Sequence, residues 1–174
     1  MDVVIHPYAE LFAGLPAPAY RRPIIEGLRM YRTILVPLDG SPRAERILPH
    51  VEAVAAPGAT LIFLEVLEAL PPHAEAWAPS TYAEAAAHRA GEVISYVETL
   101  TAAYRGRGFQ CKGLTVAGPI VATVLAVAAR ENADLIAMAS HGRTGLGRVF
   151  YGSVAAGVLH RADRPLLLIR AQDE

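Results

Sequence analysis

The chain has 174 residues, of which 53% are hydrophobic and 19% charged, so it can bury the core of one domain and is too apolar to be disordered. Its formal net charge of -1, from 16 basic and 17 acidic residues, gives no electrostatic reason to expect nucleic acid as a partner. The single cysteine excludes a disulfide framework within the chain. The first residues do not read as a signal peptide, and no run of about 20 apolar residues predicts a membrane helix. We therefore expect a soluble, cytoplasmic protein with no membrane partner.

Residues 1–31 contain four prolines and no long hydrophobic period, which predicts an N-terminal extension before a domain over 32–171 and a short tail over 172–174. Within the domain, short apolar runs predict strands at 33–38, 60–66, 109–116, 134–139 and 165–170. Helical periods or cap signals predict helices at 42–56, 82–105, from 119 onward, and 153–162. Pro49 is expected to kink the first of these helices.

This alternation of strands and helices predicts a mainly parallel sheet with helices on both faces. In such sheets, ligands bind beyond the carboxyl ends of the strands, at the point where the strand order reverses. Two loops at such ends carry notable residues: one begins at Asp39 after the first strand, and the other at Ala139 after the fourth.

The second loop is rich in glycine, with four glycines between Gly142 and Gly152. Glycines allow positive φ and close approach of a ligand, and free N–H groups in such a loop can surround a phosphate. Ser153 adds a hydroxyl, and Arg143 and Arg148 add positive charge. The alternative is that the glycines only form turns. The spacing matches neither a Walker A loop nor a dinucleotide fingerprint.

Two segments resemble the universal stress protein family. NADLIAMASHGRTGLGRVFYGSVAAGVLHRADRPLLLIR (132–170) resembles the C-terminal half of its domain, and ILVPLDGSPRAERILP (34–49) resembles its first strand and helix. The ATP-binding branch of that family carries Gly, two residues, Gly, nine residues, then Gly-Ser or Gly-Thr. This chain has Gly142, nine residues and Gly152-Ser153, but Ala139 replaces the first glycine. Alanine restricts positive φ and adds a methyl group near the phosphates, which is expected to weaken ATP binding.

The resemblance implies an adenine-nucleotide alpha-hydrolase-like, Rossmann-like fold, with a five-stranded parallel sheet in the order 3-2-1-4-5. It implies ATP, or AMP or ADP, as the ligand, with Mg²⁺ held mainly by phosphates. It makes Asp39 the acceptor for a ribose hydroxyl or a helper to the metal, and sets Val66 against the adenine. By position, the implied ligand contacts are Pro37, Leu38, Asp39, Val66, Met138, Ala139, Gly142, Arg143, Gly152, Ser153 and Val154.

The expected function is a nucleotide-binding module in a stress response, with at most weak ATP hydrolysis and no assigned catalytic residue. His141 lies in the loop, but no spacing of histidines or carboxylates predicts a catalytic triad or a metal site. Two alternatives remain: a dimeric scaffold protein that binds no nucleotide, and a slow ATPase. In each case the apolar strand 165–170 is expected to pair across a homodimer, because an unpaired apolar edge strand favours aggregation.

Overall fold

The computed structural model describes residues 31–68, 79–141 and 152–171. The elements in chain order are β1 (Tyr31–Leu38), α1 (Pro42–Glu45), α2 (Leu48–Val54), β2 (Ala55–Leu67), α3 (Pro79–Gly106), β3 (Gln110–Ala117), α4 (Ile120–Arg130), β4 (Leu135–His141), α5 (Ser153–Leu159) and β5 (Leu166–Ala171). Apart from Tyr31, which opens β1, the predicted N-terminal extension and the tail lie outside the described residues. Within the described ranges, no helix combines the length and the apolar character needed to cross a bilayer.

All five strands pair in parallel in the order β3-β2-β1-β4-β5, which confirms the predicted order 3-2-1-4-5. The central strand is β1, in which Ile34 pairs with Leu61 of β2 on one side and with Leu135 of β4 on the other. The chain therefore builds one half of the sheet through β2 and β3, and then returns past β1 to build the other half. Strand order reverses between β1 and β4, which is where a parallel sheet opens a crevice for ligands.

Both faces of the central strands are buried, because helices cover the sheet on each side. Ile34 and Phe63 belong to the core shared with α2 and α3, and the Phe63 ring meets Tyr104 of α3 edge-on, with 5.2 Å between ring centroids. Their neighbours Leu35 and Ile62 belong to the opposite core, shared with α4 and α5. Burial on both faces explains why these strands are continuous apolar runs rather than alternating ones.

The prediction of a single helix over 42–56 is wrong, since the structure has two short helices, α1 and α2, in this segment. Ser41 caps α1 by accepting a hydrogen bond at its Oγ from the Ala44 N–H at 3.1 Å, and Pro42 occupies the first helical position. Pro49 is the second residue of α2, where the missing N–H removes no helical hydrogen bond. The proline therefore lies in the first turn of a new helix and does not kink a longer one.

The second strand begins earlier than predicted, at Ala55 rather than at residue 60. Tyr31 pairs with Ala55, but Thr33 pairs with Thr60, so the register of β1 and β2 shifts between these two pairs. Gly58 lies in the additional segment with φ of +75°, a conformation that glycine adopts without steric cost. The irregular pairing follows from this local turn of the backbone, which a hydrophobic run cannot reveal.

Side-chain hydrogen bonds connect the first residues of β1 to β4. The Asp134 carboxylate accepts from the backbone N–H of Arg32 at 2.9 Å and from that of Thr33 at 3.0 Å. The backbone N–H of Asp134 in turn donates to the Thr33 carbonyl oxygen at 2.8 Å. The residue just before β4 thus fixes the start of the central strand.

Two basic side chains donate hydrogen bonds at this same end of the sheet, where the strands begin. Arg164, just before β5, donates from Nη1 to the carbonyl oxygens of Ala128 at 2.6 Å and Ala133 at 2.9 Å. Lys112 of β3 donates to Glu131 at 2.6 Å, and this hydrogen bond holds the pKa of Glu131 below its usual value. The C-terminal end of α4 is therefore joined to β3 through Glu131 and to the residue that precedes β5 through Ala128.

Candidate functional site

A cavity of about 780 Å³ lies at the carboxyl ends of β1, β2 and β4. The start of α5 closes one side, and residues of α1, α3 and α4 complete the wall. Its volume falls within the range of roughly 300–1,000 Å³ typical of sites for small ligands and cofactors. The cavity thus occupies the place where the order of the strands reverses.

Nine of the eleven sequence-predicted site residues line this cavity. They come from three strand ends and one helix start that are far apart in the chain: Pro37, Leu38, Asp39, Val66, Met138, Ala139, Gly152, Ser153 and Val154. The remaining two, Gly142 and Arg143, lie outside the described residues. The fold therefore gathers in one place residues that the sequence separates by up to about 115 positions.

The turn after β1 fixes the orientation of Asp39. Its Oδ1 accepts hydrogen bonds from the backbone N–H of Ser41 at 3.0 Å and from the Ser41 hydroxyl at 2.6 Å. Gly40 between them has φ of +73°, which the turn requires and which glycine adopts readily. Both bonds use the same carboxylate oxygen, and Oδ2 takes part in neither. Asp39 is thus a positioned acceptor at the cavity.

Ala139 lies inside β4, where it pairs with Ile169 of β5 and is half-buried. Among the described residues, Asn132 is the single non-glycine residue with positive φ, so Ala139 has ordinary extended backbone. The expected conformational penalty of alanine at this position is therefore absent in this structure. What the substitution adds is a methyl group at the cavity wall.

One side of the cavity is apolar. Val66 at the end of β2, Met138 of β4, and Ile120 and Val124 of α4 all line it. These residues also belong to, or pack against, the core between the sheet and α4 and α5. The wall is therefore continuous with the protein interior, and a flat apolar group can lie against it.

The opposite side is charged, and the sequence reasoning missed these residues. The lining includes Arg43 of α1, Arg89 of α3, Glu65 of β2, and Glu68 just after β2. Glu65 carried a signal, because it is the single charged residue of the apolar run 60–66. Arg89 carried none, since its approach to the cavity depends on how the long helix α3 packs.

Glu65 is the most unusual of these groups. Its Oε2 is shielded from solvent and has no hydrogen-bond partner in the part of the chain that the structure describes. Burial raises the pKa of Glu65, Asp39 raises it further, and Arg89 lowers it by less than either. Buried carboxylate oxygens almost always have a donor, so one without a protein partner marks a position available to a ligand.

A second carboxylate, Glu45 of α1, is bound to α3 rather than directed at the cavity. It accepts a hydrogen bond from the Tyr96 hydroxyl at 3.0 Å. Burial and the neighbouring carboxylates of Glu45, Glu65 and Asp39 raise the pKa of Tyr96, so its hydroxyl stays protonated and keeps donating. This bond holds α1, and with it the turn at Asp39, against α3.

Ser140 and His141 are the last two residues of β4. Ser140 is buried, lines the cavity, and donates from Oγ to the Ile169 carbonyl oxygen at 3.3 Å, so its hydroxyl is engaged with β5. Across the described ranges, no three His, Cys, Asp or Glu side chains come together as a metal site.

Comparison with known proteins assigns the chain to a family. Residues 30–170 match the sequence profile of the Universal stress protein family. The chain belongs to this family. The match covers every described strand almost completely, and it begins one residue before β1.

This universal stress protein is similar to Universal stress protein MJ0577 of Methanocaldococcus jannaschii, with 26% identity over 158 residues, covering 83% of this chain and 98% of the relative. The solved structure of that protein superimposes with a TM-score of 0.70. The chain is also 32% identical, over 142 residues, to a universal stress protein of Thermus aquaticus, encoded in the QAH/OAS sulfhydrylase 3′ region, and the match covers 81% of this chain and all of that protein. A universal stress protein solved in complex with cAMP shares the fold, with a TM-score of 0.58 and 22% identity, over 82% of this chain and 99% of that one.

Proposed function

We propose that this universal stress protein binds an adenine nucleotide, ATP or its products ADP and AMP, in the cavity at the carboxyl ends of β1, β2 and β4. The observation that carries the proposal is the convergence of nine predicted contact residues on one cavity of about 780 Å³. The nucleotide-bound state would serve a stress response as a signal, in keeping with the family.

The two walls of the cavity suit the two parts of a nucleoside. Val66 and the apolar wall beside it offer a surface for the adenine ring. Asp39, held by the Ser41 turn, offers carboxylate oxygens to a ribose hydroxyl. The phosphates would extend toward Gly152 and Ser153, which line the cavity at the start of α5. Mg²⁺ would be held mainly by the phosphates, with Asp39 as a helper.

A direct test is to denature the purified protein and identify the released nucleotide by chromatography. Near-equal amounts of nucleotide and chain would support the proposal. In parallel, nucleotide-free protein is titrated with ATP and Mg²⁺ while its melting temperature is followed. Ligand at about 100 times Kd should raise Tm by roughly 5 °C or more. Release of no nucleotide together with an unmoved Tm would refute the proposal.

Variants assign the binding to the cavity. Ser153→Ala should weaken nucleotide binding by about threefold to tenfold, the range expected for one lost hydrogen bond. Gly142→Val should abolish it, because the sequence pattern implies close approach of a ligand at that glycine. Ser95→Ala, an exposed position of α3 outside the cavity, is the matched control and should leave binding unchanged.

The slow-ATPase alternative is tested by phosphate release. A binding module releases little phosphate over hours with ATP in excess. If steady release is found, the His141→Ala variant decides the role of the one histidine in the loop: release that survives the substitution excludes His141 as the catalytic group.

We further propose that β5 pairs with a second copy of the chain, which makes this protein a homodimer. Among the described strands, β5 lies at one edge of the sheet and pairs with β4 alone. The Pro165 carbonyl oxygen accepts from the Ile136 N–H, so Leu166, Leu168 and Arg170, on the alternate positions, direct their backbone N–H and C=O groups outward. Such an edge is a template for another strand.

The dimer is tested by light scattering after size-exclusion chromatography. Arg170→Pro removes an outward N–H at an exposed side chain and should shift the protein to monomer. Arg170→Ala keeps that N–H and is the control. A wild-type protein that elutes as a monomer at all concentrations tested would refute the dimer, and the nucleotide proposal would be unaffected.

A further inference from the structure

We propose that Glu65, together with Asp39, makes the cavity selective for a nucleotide whose 2′ and 3′ ribose hydroxyls are free, and that the pair rejects a phosphate on either hydroxyl. The inference rests on the proposed nucleotide function and names a specificity-determining residue within that site. None of the sequence patterns assigns a role to Glu65.

The position of Glu65 is set by the β1–α1 turn. Leu38, the last residue of β1, pairs with Glu65 of β2, so Asp39 follows directly beside it. A Cβ placed on Gly40 would lie 3.9 Å from both carboxylate oxygens of Glu65. The turn that orients Asp39 therefore also covers Glu65, and the two carboxylates form one acidic corner of the cavity. Both residues line the cavity wall.

The charge of this corner is negative, although two arginines line the same cavity. Asp39 raises the pKa of Glu65 by more than Arg89 lowers it, so the negative charge of Asp39 affects Glu65 more strongly than the positive charge of Arg89 does. Arg43 lines the cavity but is not among the groups that shift this pKa. A ligand group in contact with Glu65 therefore meets a site that favours hydrogen-bond donors and disfavours anions.

Hydrogen-bonding chemistry decides which ribose fits. A free hydroxyl donates to a carboxylate, whereas an ionised phosphate ester offers acceptors alone and adds negative charge. Glu65 has one oxygen without a donor among the described residues, and Asp39 has one oxygen that the Ser41 turn does not use. We assign these two acceptors to the two hydroxyls of a ribose. An acidic side chain at a ribose selects against a phosphate there in dinucleotide sites by the same chemistry.

The test compares two ligands that differ by one group: 5′-AMP and adenosine 3′,5′-bisphosphate. Their dissociation constants are measured by calorimetry on the full chain freed of nucleotide. The wild-type protein should bind 5′-AMP about 100-fold more tightly, since like charges in contact cost several kcal/mol. 3′-O-methyl-AMP, which is bulky at the same position but adds no charge, should lose less affinity than the bisphosphate. Equal losses for the two would overturn the role of charge.

Glu65→Gln keeps the size of the side chain and removes its charge. It should reduce the preference for 5′-AMP at least tenfold, while the affinity for 5′-AMP itself changes less than the preference does. Glu98→Gln removes an exposed carboxylate of α3 that lies outside the cavity and should leave the preference unchanged. An unchanged preference in Glu65→Gln would overturn the proposal.

A second measurement needs no variant. In the wild-type protein, the ratio of the affinity for 5′-AMP to the affinity for the bisphosphate should fall as the salt concentration rises from about 0.05 M to 0.5 M, because screening weakens repulsion between charges. Failure of this inference and failure of the proposed function give different results. Tight binding of 5′-AMP without any preference over the bisphosphate overturns the specificity alone, whereas no binding of any adenine nucleotide overturns both.

Discussion

At the amino ends of the strands, charged side chains are paired with backbone groups, whereas at the carboxyl ends the carboxylates of Asp39, Glu65 and Glu68 border a cavity. Asp134 binds the backbone of Arg32 and Thr33, and Arg164 binds two carbonyl oxygens near the end of α4. At the other end, Glu65 has a shielded oxygen without a partner among the described residues. The amino end of the sheet thus has charged side chains with protein partners, whereas the carboxyl end includes a buried carboxylate oxygen without one among the described residues.

The difference shows how one fold divides stability from binding. A partnered charge contributes to folding, while an unpartnered buried acceptor costs free energy and is retained where function needs it. Substitutions at the amino ends should therefore lower stability and leave ligand selectivity alone. Substitutions at the carboxyl ends should change ligand binding, with small or even favourable effects on stability.

The largest expected loss follows from Arg164→Ala. The substitution leaves the Ala128 and Ala133 carbonyl oxygens, both on buried residues, without their charged donor. The free energy of unfolding should fall by about 2–4 kcal/mol, measured by urea denaturation. Arg161→Ala, at an exposed arginine nearby, should change it far less. Similar losses in the two variants would show that the two carbonyl contacts are unimportant.

Asp134→Ala should cost somewhat less, about 1–2 kcal/mol, because the hydrogen bonds it removes are partly exposed to water. Asp134→Asn keeps one carbonyl acceptor and should recover part of the loss. Hydrogen exchange at the amides of Arg32 and Thr33 reports the effect locally, since both donate to this carboxylate. Unchanged exchange in Asp134→Ala would contradict the assignment.

Ser41→Ala should destabilise the protein by about 1 kcal/mol, the usual effect of removing an N-cap. It should also weaken nucleotide binding, because the Ser41 hydroxyl holds Asp39 at 2.6 Å. Ser41→Thr retains the hydroxyl and serves as the control for both measurements. If Ser41→Ala loses stability but binds nucleotide as the wild type does, then the Ser41 hydroxyl caps α1 but is not needed to hold Asp39 for binding.

The smallest change, and one of opposite sign, is expected for Glu65→Gln. Burial raises the folded-state pKa of Glu65 above 4.5, so folding favours the neutral acid. The stability associated with this neutral form is fully present below the unfolded pKa and is lost as the pH rises through the raised folded pKa. Glutamine is neutral throughout, so the variant should match the wild type near pH 4 and exceed it at pH 8. Solvent screening keeps the gain in Tm to no more than about 2 °C. A Tm lowered at pH 8 would contradict this.

The fold was predictable because each strand and helix is indicated by a local sequence pattern, and these patterns recur along the chain. Each central strand is an apolar run, and the alternation with helices implies a parallel sheet. The split between α1 and α2 was not predictable in the same way, because Pro49 is compatible both with a kinked helix and with the first turn of a new one. The early start of β2 depends on the turn at Gly58, which carries no hydrophobic signal.

The candidate site was predictable where a motif or a strand end marked it, as at Asp39 and at Gly152-Ser153. It was not predictable where it depends on packing between distant elements. In the sequence, Glu65 is a charged residue within an apolar strand. Only the structure shows that the turn at Gly40 lies over its carboxylate. In the sequence, Arg89 is one of several charged residues on a long helix. Only the packing of α3 beside the cavity shows that Arg89 lines it.

The central place of β1 also governs when the site can exist during synthesis. β1 is the first of the described strands, yet one of its two neighbours is β4, whose preceding residue Asp134 is 102 positions from Arg32. The half-sheet β1–β2–β3 can pair early, but the cavity also needs β4 and the start of α5, near residue 153. Contacts this distant in sequence form late and slow the folding of a chain. A ligand of this cavity can therefore stabilise the domain only after residues up to about 155 have been synthesised, and it offers no protection to the half-sheet β1–β2–β3 alone.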